Sequence, residues 1–309
     1  MAPLQLDPTV AEALESGRPI VALESALITH GFLPPGNLEI ARRLEGTVRA
    51  QGAVPATVGV LDGKPHIGMS SSELSRLASP QLPRPTGRSA QRRKISLRDL
   101  PLAVAQGASG GTTVAATMHL AYLAGLGILA TGGIGGVHRG YPADVSADLT
   151  ALETIGITVV CSGAKAILDL LRTRENLETR GIPVIGYGTD VFPAYYSRYS
   201  ELAVDAAADT AEEVVRMAQA RTALGLSGAL LVCVPVPKEM ELPHDEADEL
   251  ISQALHEAQT VGVRGADLTP FLLARVVELS DGRARQANEA LLVNNARVAA
   301  AIARAATGV

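Results

Sequence analysis

The stretch GTTVAATMHLAYLAGLGILATGG, residues 111–133, decides the fold class. Its first half has the composition of a buried helix that continues to about Ala124, and its second half contains a short apolar strand over 127–130. A helix that leads at once into a buried strand is typical of α/β proteins.

The same region carries no charged residue between Asp99 and Arg139, which raises the question of a membrane span. Gln106, His119 and repeated glycines interrupt it well before about 18 consecutive apolar residues. We therefore expect a buried helix and strand here, and no membrane partner.

Strand-like and helix-like segments alternate outward from this stretch, and the chain from about 270 onward is helical. This pattern predicts an α/β fold, a three-layer α/β/α arrangement with a largely parallel central sheet and a helical C-terminal third. We expect one catalytic domain over residues 1–309, with the Pro- and Arg-rich segment 80–93 as a mobile insertion. The predicted strands are 19–23, a hairpin of 56–61 and 65–69 around Asp62-Gly63, 157–161, 182–187 and 229–234; the predicted helices are 7–17, 37–51 with Asn37 as its cap, 164–180, 210–224, 245–261, 270–279 and 285–305.

Composition narrows the classes of function. A net charge of −5 argues against nucleic acid as the main partner. The two cysteines lie in apolar runs and are expected to be buried free thiols, which fits the cytoplasm, and residues 1–8 lack the zones of a signal peptide. The local basic cluster Arg84, Arg88, Arg92, Arg93 and Lys94 is either a solvated loop or a phosphate-binding patch.

Only four of the 27 basic side chains are lysines, and Lys165 is the one that follows a buried strand directly. We expect it at a helix start, where desolvation and the positive helix end favour the neutral amine that a Schiff base requires. The alternative is a lysine whose ammonium reaches solvent.

Carboxylates supply the complementary chemistry. Glu24 ends the apolar run 21–23, where it is either a general acid or base or a structural partner. Asp144 and Asp148 would share one helix face at i, i+4 spacing and could hold Mg²⁺ or Mn²⁺, or Asp144 could cap the helix.

Two glycine-rich segments are candidate ligand loops. Residues 131–140, which include His138, follow a buried strand, and their glycines would allow a ligand to approach the backbone. Residues 107–113 open a helix, which suits a phosphate or is an ordinary helix start. Together these groups indicate a phosphorylated substrate with a carbonyl, attacked by an amine.

An ordered set of motifs resembles the pseudouridine-5′-phosphate glycosidase family, also called indigoidine synthase A-like. The motifs run from about residue 18 to 305. They are Val-Ala-Leu-Glu24-Ser with Thr29-His-Gly, Gly52-Ala-Val-Pro-Ala-Thr, Lys94-Ile-Ser-Leu-Arg-Asp-Leu-Pro, Thr112-Thr-Val-Ala-Ala-Thr-Met, Thr131-Gly-Gly-Ile-Gly-Gly-Val-His-Arg-Gly, Ser146-Ala-Asp-Leu, Val160-Cys-Ser-Gly-Ala-Lys165, Thr269-Pro-Phe-Leu-Leu and Asn294-Asn-Ala-Arg.

The resemblance implies reversible cleavage of the C–C glycosidic bond of pseudouridine 5′-phosphate to uracil and ribose 5-phosphate, through a lysine imine with the ring-opened sugar. It also implies one Mn²⁺ per subunit, a homotrimer, and pseudouridine kinase as the metabolic partner. By motif position, it makes Lys165 the nucleophile, Glu24 the proton donor and Asp144 the metal ligand; the substrate contacts would be Lys94, Val114, His138, Ser146, Ala147, Asp148 and Asn288.

Two other functions use the same groups. One is an aldolase-like lyase that acts on another sugar phosphate. The other is a non-catalytic sensor of a sugar phosphate or nucleotide, which has no need of a nucleophilic Lys165.

Overall fold

The computed structural model describes residues 4–80, 93–263 and 268–308. The predicted insertion 80–93 therefore falls almost wholly outside the described residues, as does most of the basic cluster before Lys94. The strands are β1 Gln5–Leu6, β2 Ile20–Leu23, β3 Val54–Leu61, β4 Lys64–Ile67, β5 Arg93–Ile95, β6 Gly110–Thr112, β7 Ile128–Ala130, β8 Val137–His138, β9 Tyr141–Val145, β10 Thr158–Cys161, β11 Leu168–Asp169, β12 Val184–Tyr187, β13 Ala206–Ala208 and β14 Leu230–Cys233.

The helices agree with most of the predicted ones to within a few residues. They are α1 Pro8–Glu15, α2 Gly36–Ala50, α3 Ser71–Ala78, α4 Leu100–Ala105, α5 Val114–Leu123, α6 Ala147–Thr154, α7 Leu170–Thr179, α8 Ala211–Ala223, α9 His244–Thr260, α10 Leu268–Leu279 and α11 Arg283–Thr307, with short turns of helix at Leu27–Gly31, Leu97–Asp99 and Lys238–Met240.

One large sheet forms the centre of the protein, in the order β1-β4-β3-β2-β7-β10-β14-β12-β13, with β6 beside β3 and β5 beside β6. The run from β3 through β2 to β13 is parallel throughout. One group of helices, α2, α8 and α11, packs together over the sheet, and α5 and α6 form another. The predicted α/β fold with a largely parallel sheet is confirmed.

The hairpin prediction is also confirmed. Strands β3 and β4 pair antiparallel around Asp62 and Gly63. Both turn residues have positive φ, 51° and 74°, as a tight two-residue hairpin turn requires.

The uncharged stretch after Asp99 is explained by burial. Seven of the ten residues of α5 are buried, and all of β7 is buried beside β2 and β10. Among the described residues, no helix is long and apolar enough to cross a membrane.

Three local predictions are wrong. Asn37 does not cap α2: it is buried inside the helix, where its Nδ2 donates to the carbonyl oxygens of Ile28 and Ala78 at 2.9 Å each. The helix predicted at 164–180 begins only at Leu170, because Leu168 and Asp169 form strand β11 of a small second sheet and Ala164 makes an isolated bridge with Ile134.

The third error concerns Asp144. It lies on β9, and α6 begins after it with Ser146 as its cap. Asp144 and Asp148 are therefore not on one helix face, and Asp144 does not cap the helix.

The last helix is tied to the strand ends by Asn295, a fully buried side chain of α11. Its Nδ2 donates to the Thr131 carbonyl oxygen after β7 at 2.8 Å, and its Oδ1 accepts from the Ser162 hydroxyl after β10 at 3.2 Å. The amide thus provides hydrogen bonds to polar groups where two central strands end and regular sheet pairing stops.

We predict that Asn295→Ala lowers the free energy of unfolding by about 1–3 kcal/mol, because it leaves buried partners without hydrogen bonds. Chemical denaturation at neutral pH measures the loss. Asn294→Ala is the control, since Asn294 is only part-buried and its bond to the Pro235 carbonyl oxygen is longer, at 3.3 Å. Equal losses in the two variants would contradict the role given to Asn295.

Candidate functional site

The candidate site lies at the carboxyl ends of the central parallel strands. Glu24 follows β2 directly, and Thr131 follows β7. Ser162 follows β10, with Lys165 three residues further on. Loops at this edge of a parallel sheet are where ligands of such folds bind, so the position agrees with the prediction.

Glu24 is a buried carboxylate of the site. Its Oε2 has no hydrogen-bond partner among the described residues; the same is true of the neighbouring Thr131 hydroxyl. Burial raises the pKa of Glu24, and the positive charge of Lys165 opposes that rise without cancelling it. A carboxyl group that holds its proton to higher pH is suited to donating it.

Lys165 lies in a turn between β10 and β11 and is half-buried. Its backbone N–H donates to the Ile134 carbonyl oxygen at 3.0 Å. Ile134 in turn donates to Gly163 at 3.0 Å. The lysine is therefore fixed to the glycine-rich loop and not to a helix start, which corrects the local prediction but keeps the amine beside Glu24.

Lys94 reaches the same cluster from β5. Its strand pairs with β6, where Lys94 is opposite Gly111. Gly111 packs so closely on Ser25 that a Cβ atom there would lie 2.4 Å from the Ser25 carbonyl oxygen. This close contact brings Lys94 to Glu24, the neighbour of Ser25.

The Lys94 side chain is open to solvent, yet the surrounding cleft still lowers its pKa by desolvation, and the charge of Lys165 lowers it further. The pKa of His138 is also lowered, first by desolvation, while the charge of Asp144 opposes the change. Glu24, Lys94, His138, Asp144, Asp148 and Lys165 are thus close enough for their charges to act on one another.

Asp148 has a structural role that the sequence did not reveal. Its carboxylate is buried and accepts two backbone N–H groups, from Ala115 at 2.9 Å and from Gly135 at 2.8 Å. One side chain therefore joins the start of α5 to the glycine-rich loop.

The start of α5 has one donor left over. Thr113 caps the helix, and Ala115 donates to Asp148. Within the described ranges, the Val114 N–H donates to no protein acceptor. This free donor is compatible with the predicted substrate contact at Val114, made through its backbone.

The glycines of 132–136 serve packing and not the approach of a ligand. All five residues are buried. A Cβ atom at Gly133 would lie 2.7 Å from Cε2 of Tyr195, and one at Gly135 would lie 2.2 Å from the Ser146 hydroxyl. The ligand-loop interpretation is therefore wrong for these glycines, and it stays a prediction for the half-buried His138.

Ser146 and Ala147 begin α6 next to Asp144, whose side chain is exposed. Asn288 lies on α11 and is part-buried. Its Oδ1 accepts from the Tyr195 hydroxyl at 2.7 Å. Sequence reasoning missed Tyr195, although two adjacent tyrosines in a chain with 3% aromatic residues were a usable signal.

A groove of about 740 Å³ lies at the opposite, amino-terminal edge of the sheet, lined by residues such as Ile20, Ile128 and Thr158. Glu24, Lys94 and Lys165 do not line it. The titratable cluster, and not this apolar groove, is the candidate site.

Residues 9–305 match the family model described as indigoidine synthase A like protein. The chain is 50% identical to the pseudouridine-5′-phosphate glycosidase of Solibacter usitatus, over 97% of this chain and 98% of that one. It is 54% identical to the enzyme of the same name from Rhodospirillum centenum, over 97% and 91%.

Two solved structures have the same fold. An indigoidine synthase A-like protein from Thermotoga maritima matches with a TM-score of 0.86 and 36% identity, over 97% of this chain and 96% of that one. The prealnumycin C-glycosynthase AlnA, in complex with ribulose 5-phosphate, matches with a TM-score of 0.89 and 36% identity, over 99% and 97%.

The burial of Glu24 predicts a pH-dependent cost in stability. Because its pKa is higher folded than unfolded, the folded state binds the proton more tightly, and stability declines as pH rises above about 4.5. We predict that Glu24→Gln raises the free energy of unfolding by on the order of 1 kcal/mol at pH 7 and not at pH 4. Denaturation at both pH values measures the difference.

Glu45→Gln is the matched control. Glu45 is equally buried, but it accepts from Thr57 at 2.7 Å and from Arg49 at 2.9 Å. Its replacement should lower stability at pH 7. A Glu24→Gln variant that is less stable than the parent at pH 7 would show that the Glu24 carboxylate does not destabilise the folded state.

Proposed function

This chain belongs to the indigoidine synthase A-like family, and from that premise we propose that it is a pseudouridine-5′-phosphate glycosidase. It cleaves the bond between uracil C5 and ribose C1′ and releases uracil and ribose 5-phosphate. The observation that carries the proposal is the meeting of an unpartnered buried acid, Glu24, with two lysines, Lys94 and Lys165, at the carboxyl edge of the sheet.

The reaction needs a nucleophile because a carbon leaving group departs less readily than a nitrogen or oxygen one. Nζ of Lys165 bonds to C1′ as the C1′–O4′ bond breaks and O4′ takes a proton. The C1′–C5 bond then breaks, its electron pair stays on uracil C5, and a proton is added there. Water hydrolyses the remaining imine to ribose 5-phosphate and free Lys165, so the overall reaction consumes one water.

Glu24 suits the proton-transfer role in this sequence. Its raised pKa keeps a proton available, and it lies close to Lys165. After donating the proton, its negative charge would face the positively charged imine, which stabilises that intermediate electrostatically.

Lys94 and the unpaired Val114 N–H suit the phosphate end of the substrate. The first is a solvent-accessible ammonium and the second a helix-start donor, and both favour an anion. His138, Ser146, Ala147, Asp148 and Asn288 complete the proposed substrate contacts. Asp148 also joins the start of α5 to the glycine-rich loop.

We also propose Mn²⁺ as the cofactor, held by Asp144. Among the described residues no group of three or more His, Cys, Asp or Glu could hold a metal. A single exposed carboxylate, here Asp144, suits a hard cation that keeps most of its water ligands. When bound, such an ion supplies positive charge for substrate oxygens.

The remaining expectations extend this proposal. The proposed assembly is a homotrimer, and an assembly could cover exposed apolar side chains such as Leu33, Leu102 and Tyr122. Buried free thiols at Cys161 and Cys233 fit a cytoplasmic enzyme. A kinase acting on pseudouridine would supply the substrate.

We predict that the purified protein releases uracil from pseudouridine 5′-phosphate and that Lys165→Arg, which keeps the charge but not the nucleophile, is slower by at least about 1000-fold. The fall in ultraviolet absorbance that distinguishes the two bases measures turnover. Borohydride with ribose 5-phosphate should leave a mass adduct on Lys165.

Lys64→Ala is the matched control, because Lys64 is an exposed lysine on β4. It should keep both turnover and the adduct. An adduct on Lys94, or none on the active wild type, would contradict the imine. Turnover of another sugar phosphate alone would favour a lyase, and an adduct-free protein that binds ligand without turnover would favour a sensor.

We predict that chelation abolishes turnover and that Mn²⁺ restores it. Asp144→Ala should require a much higher Mn²⁺ concentration than wild type for half-maximal activity, because it removes the carboxylate ligand. Asp99→Ala, in a short helical turn outside the cluster, should not. Turnover that chelator leaves unchanged would exclude the metal role.

A further inference from the structure

Tyr195 has a backbone conformation that tyrosine rarely adopts. Its φ is +61°, in the left-handed region, at the apex of a tight turn in which Ala194 and Ser197 exchange backbone hydrogen bonds at 3.0 and 3.3 Å. Such a conformation is costly for a residue other than glycine and persists only where the surroundings require it.

The surroundings hold the Tyr195 ring on the glycine-rich loop. The side chain is 5% exposed, and Cβ atoms at Gly132 and Gly133 would lie 3.0 Å from its Oη and 2.7 Å from its Cε2. Pro193, two residues before Tyr195, packs closely on Gly163, two residues before Lys165: a Cβ atom at Gly163 would lie 2.3 Å from the Pro193 carbonyl oxygen. The strained turn therefore fills a gap that only glycines leave open, beside the nucleophile.

The hydroxyl of Tyr195 has one partner, Asn288. It donates to Oδ1 at 2.7 Å, and burial keeps the pKa of Tyr195 well above its usual value, so that the phenol remains a donor. The negative charge of Glu24 contributes to the same rise, which places Tyr195 and the acid of the site close together.

This hydrogen bond determines which way the Asn288 amide faces. With Oδ1 occupied by Tyr195, Nδ2 is left as the free end, and within the described part of the chain it donates to no protein acceptor. A primary amide held in this way turns its N–H donors toward a ligand.

We propose that Tyr195 is a positioning residue that fixes the Asn288 amide, so that its Nδ2 donates to a ring carbonyl oxygen of the pyrimidine base. The proposal rests on the proposed glycosidase function and deepens it. The site would select bases with an acceptor at that position and disfavour those that present an amino group there, because two donors would then face each other.

The test separates base binding from sugar chemistry. In the synthetic direction, Tyr195→Phe keeps the ring against Gly133 but removes the hydroxyl. We expect its KM for uracil to rise roughly tenfold, the loss of one fixed hydrogen bond, with the KM for ribose 5-phosphate unchanged. Formation of the borohydride adduct at Lys165 should also be unchanged, since it needs no base.

Tyr196→Phe is the matched control. Tyr196 follows Tyr195 in the sequence and is also buried. The two rings pack edge-on with their centroids 4.9 Å apart, but the hydrogen bond to Asn288 comes from Tyr195. A general disturbance of this turn would affect both variants, whereas positioning of Asn288 affects Tyr195→Phe alone.

Two further variants show whether Tyr195 acts through Asn288. Asn288→Asp keeps an oxygen for the Tyr195 hydroxyl but replaces the donor, so uracil binding should be lost while the adduct persists. The double variant Tyr195→Phe with Asn288→Ala should be no worse than Asn288→Ala alone.

The outcomes are distinct. If the wild type is active, three results would each overturn the positioning role and leave the glycosidase intact. They are an equal KM for uracil in Tyr195→Phe and Tyr196→Phe, additive effects in the double variant, and loss of the adduct in Tyr195→Phe. A folded wild type that releases no uracil would overturn the glycosidase and this inference together.

Discussion

The site depends on one buried carboxylate that accepts two backbone N–H groups. Asp148 joins the start of α5, through Ala115, to the glycine-rich loop, through Gly135. These two segments carry the backbone donor of Val114 on one side and the support of Lys165 on the other. A neutral side chain of the same size could not accept both hydrogen bonds as strongly, because charge-assisted bonds are about twice as strong as neutral ones.

The contrast with Glu24 shows how the same chemical group is used in two ways. Asp148 is buried with both oxygens satisfied, and it contributes to stability. Glu24 is buried with Oε2 unpartnered among the described residues, and desolvation by burial raises its pKa. Selection for stability alone would favour a hydrogen-bond partner for Glu24 or its replacement. A buried carboxylate with a raised pKa is typical of a catalytic site.

Much of this arrangement is encoded in short apolar runs that can be read without a structure. The runs before Glu24, Thr131 and Ser162 predicted strands, and parallel strands bring their carboxyl ends together, so the meeting of Glu24 with Lys165 followed from the pattern. The basic cluster suggested only a possible phosphate patch at Lys94, and the family resemblance assigned it to the site, since its approach to Glu24 depends on the pairing of β5 with β6.

What could not be predicted depends on contacts between residues distant in sequence. Asn37 and Asn295 are polar residues in apolar surroundings, and their partners lie in other elements, so helix patterns alone suggested a cap for the first and nothing for the second. The glycines at 132–136 were interpreted as space for a ligand, but side chains of the protein occupy that space. Tyr195, from a turn about 60 residues later, packs on Gly132 and Gly133, and Ser146 and Thr173 pack on Gly135 and Gly136. A sequence shows that space is needed and does not show what fills it.

The two cysteines have a consequence of another kind. Cys161 and Cys233 are register partners on the adjacent central strands β10 and β14, both fully buried, and they are the chain's only thiols. A thiol reagent can therefore reach sulfur only when the middle of the sheet separates. The rate at which a reagent modifies these thiols therefore measures how often the core opens, so the native protein carries a built-in chemical probe of its own unfolding.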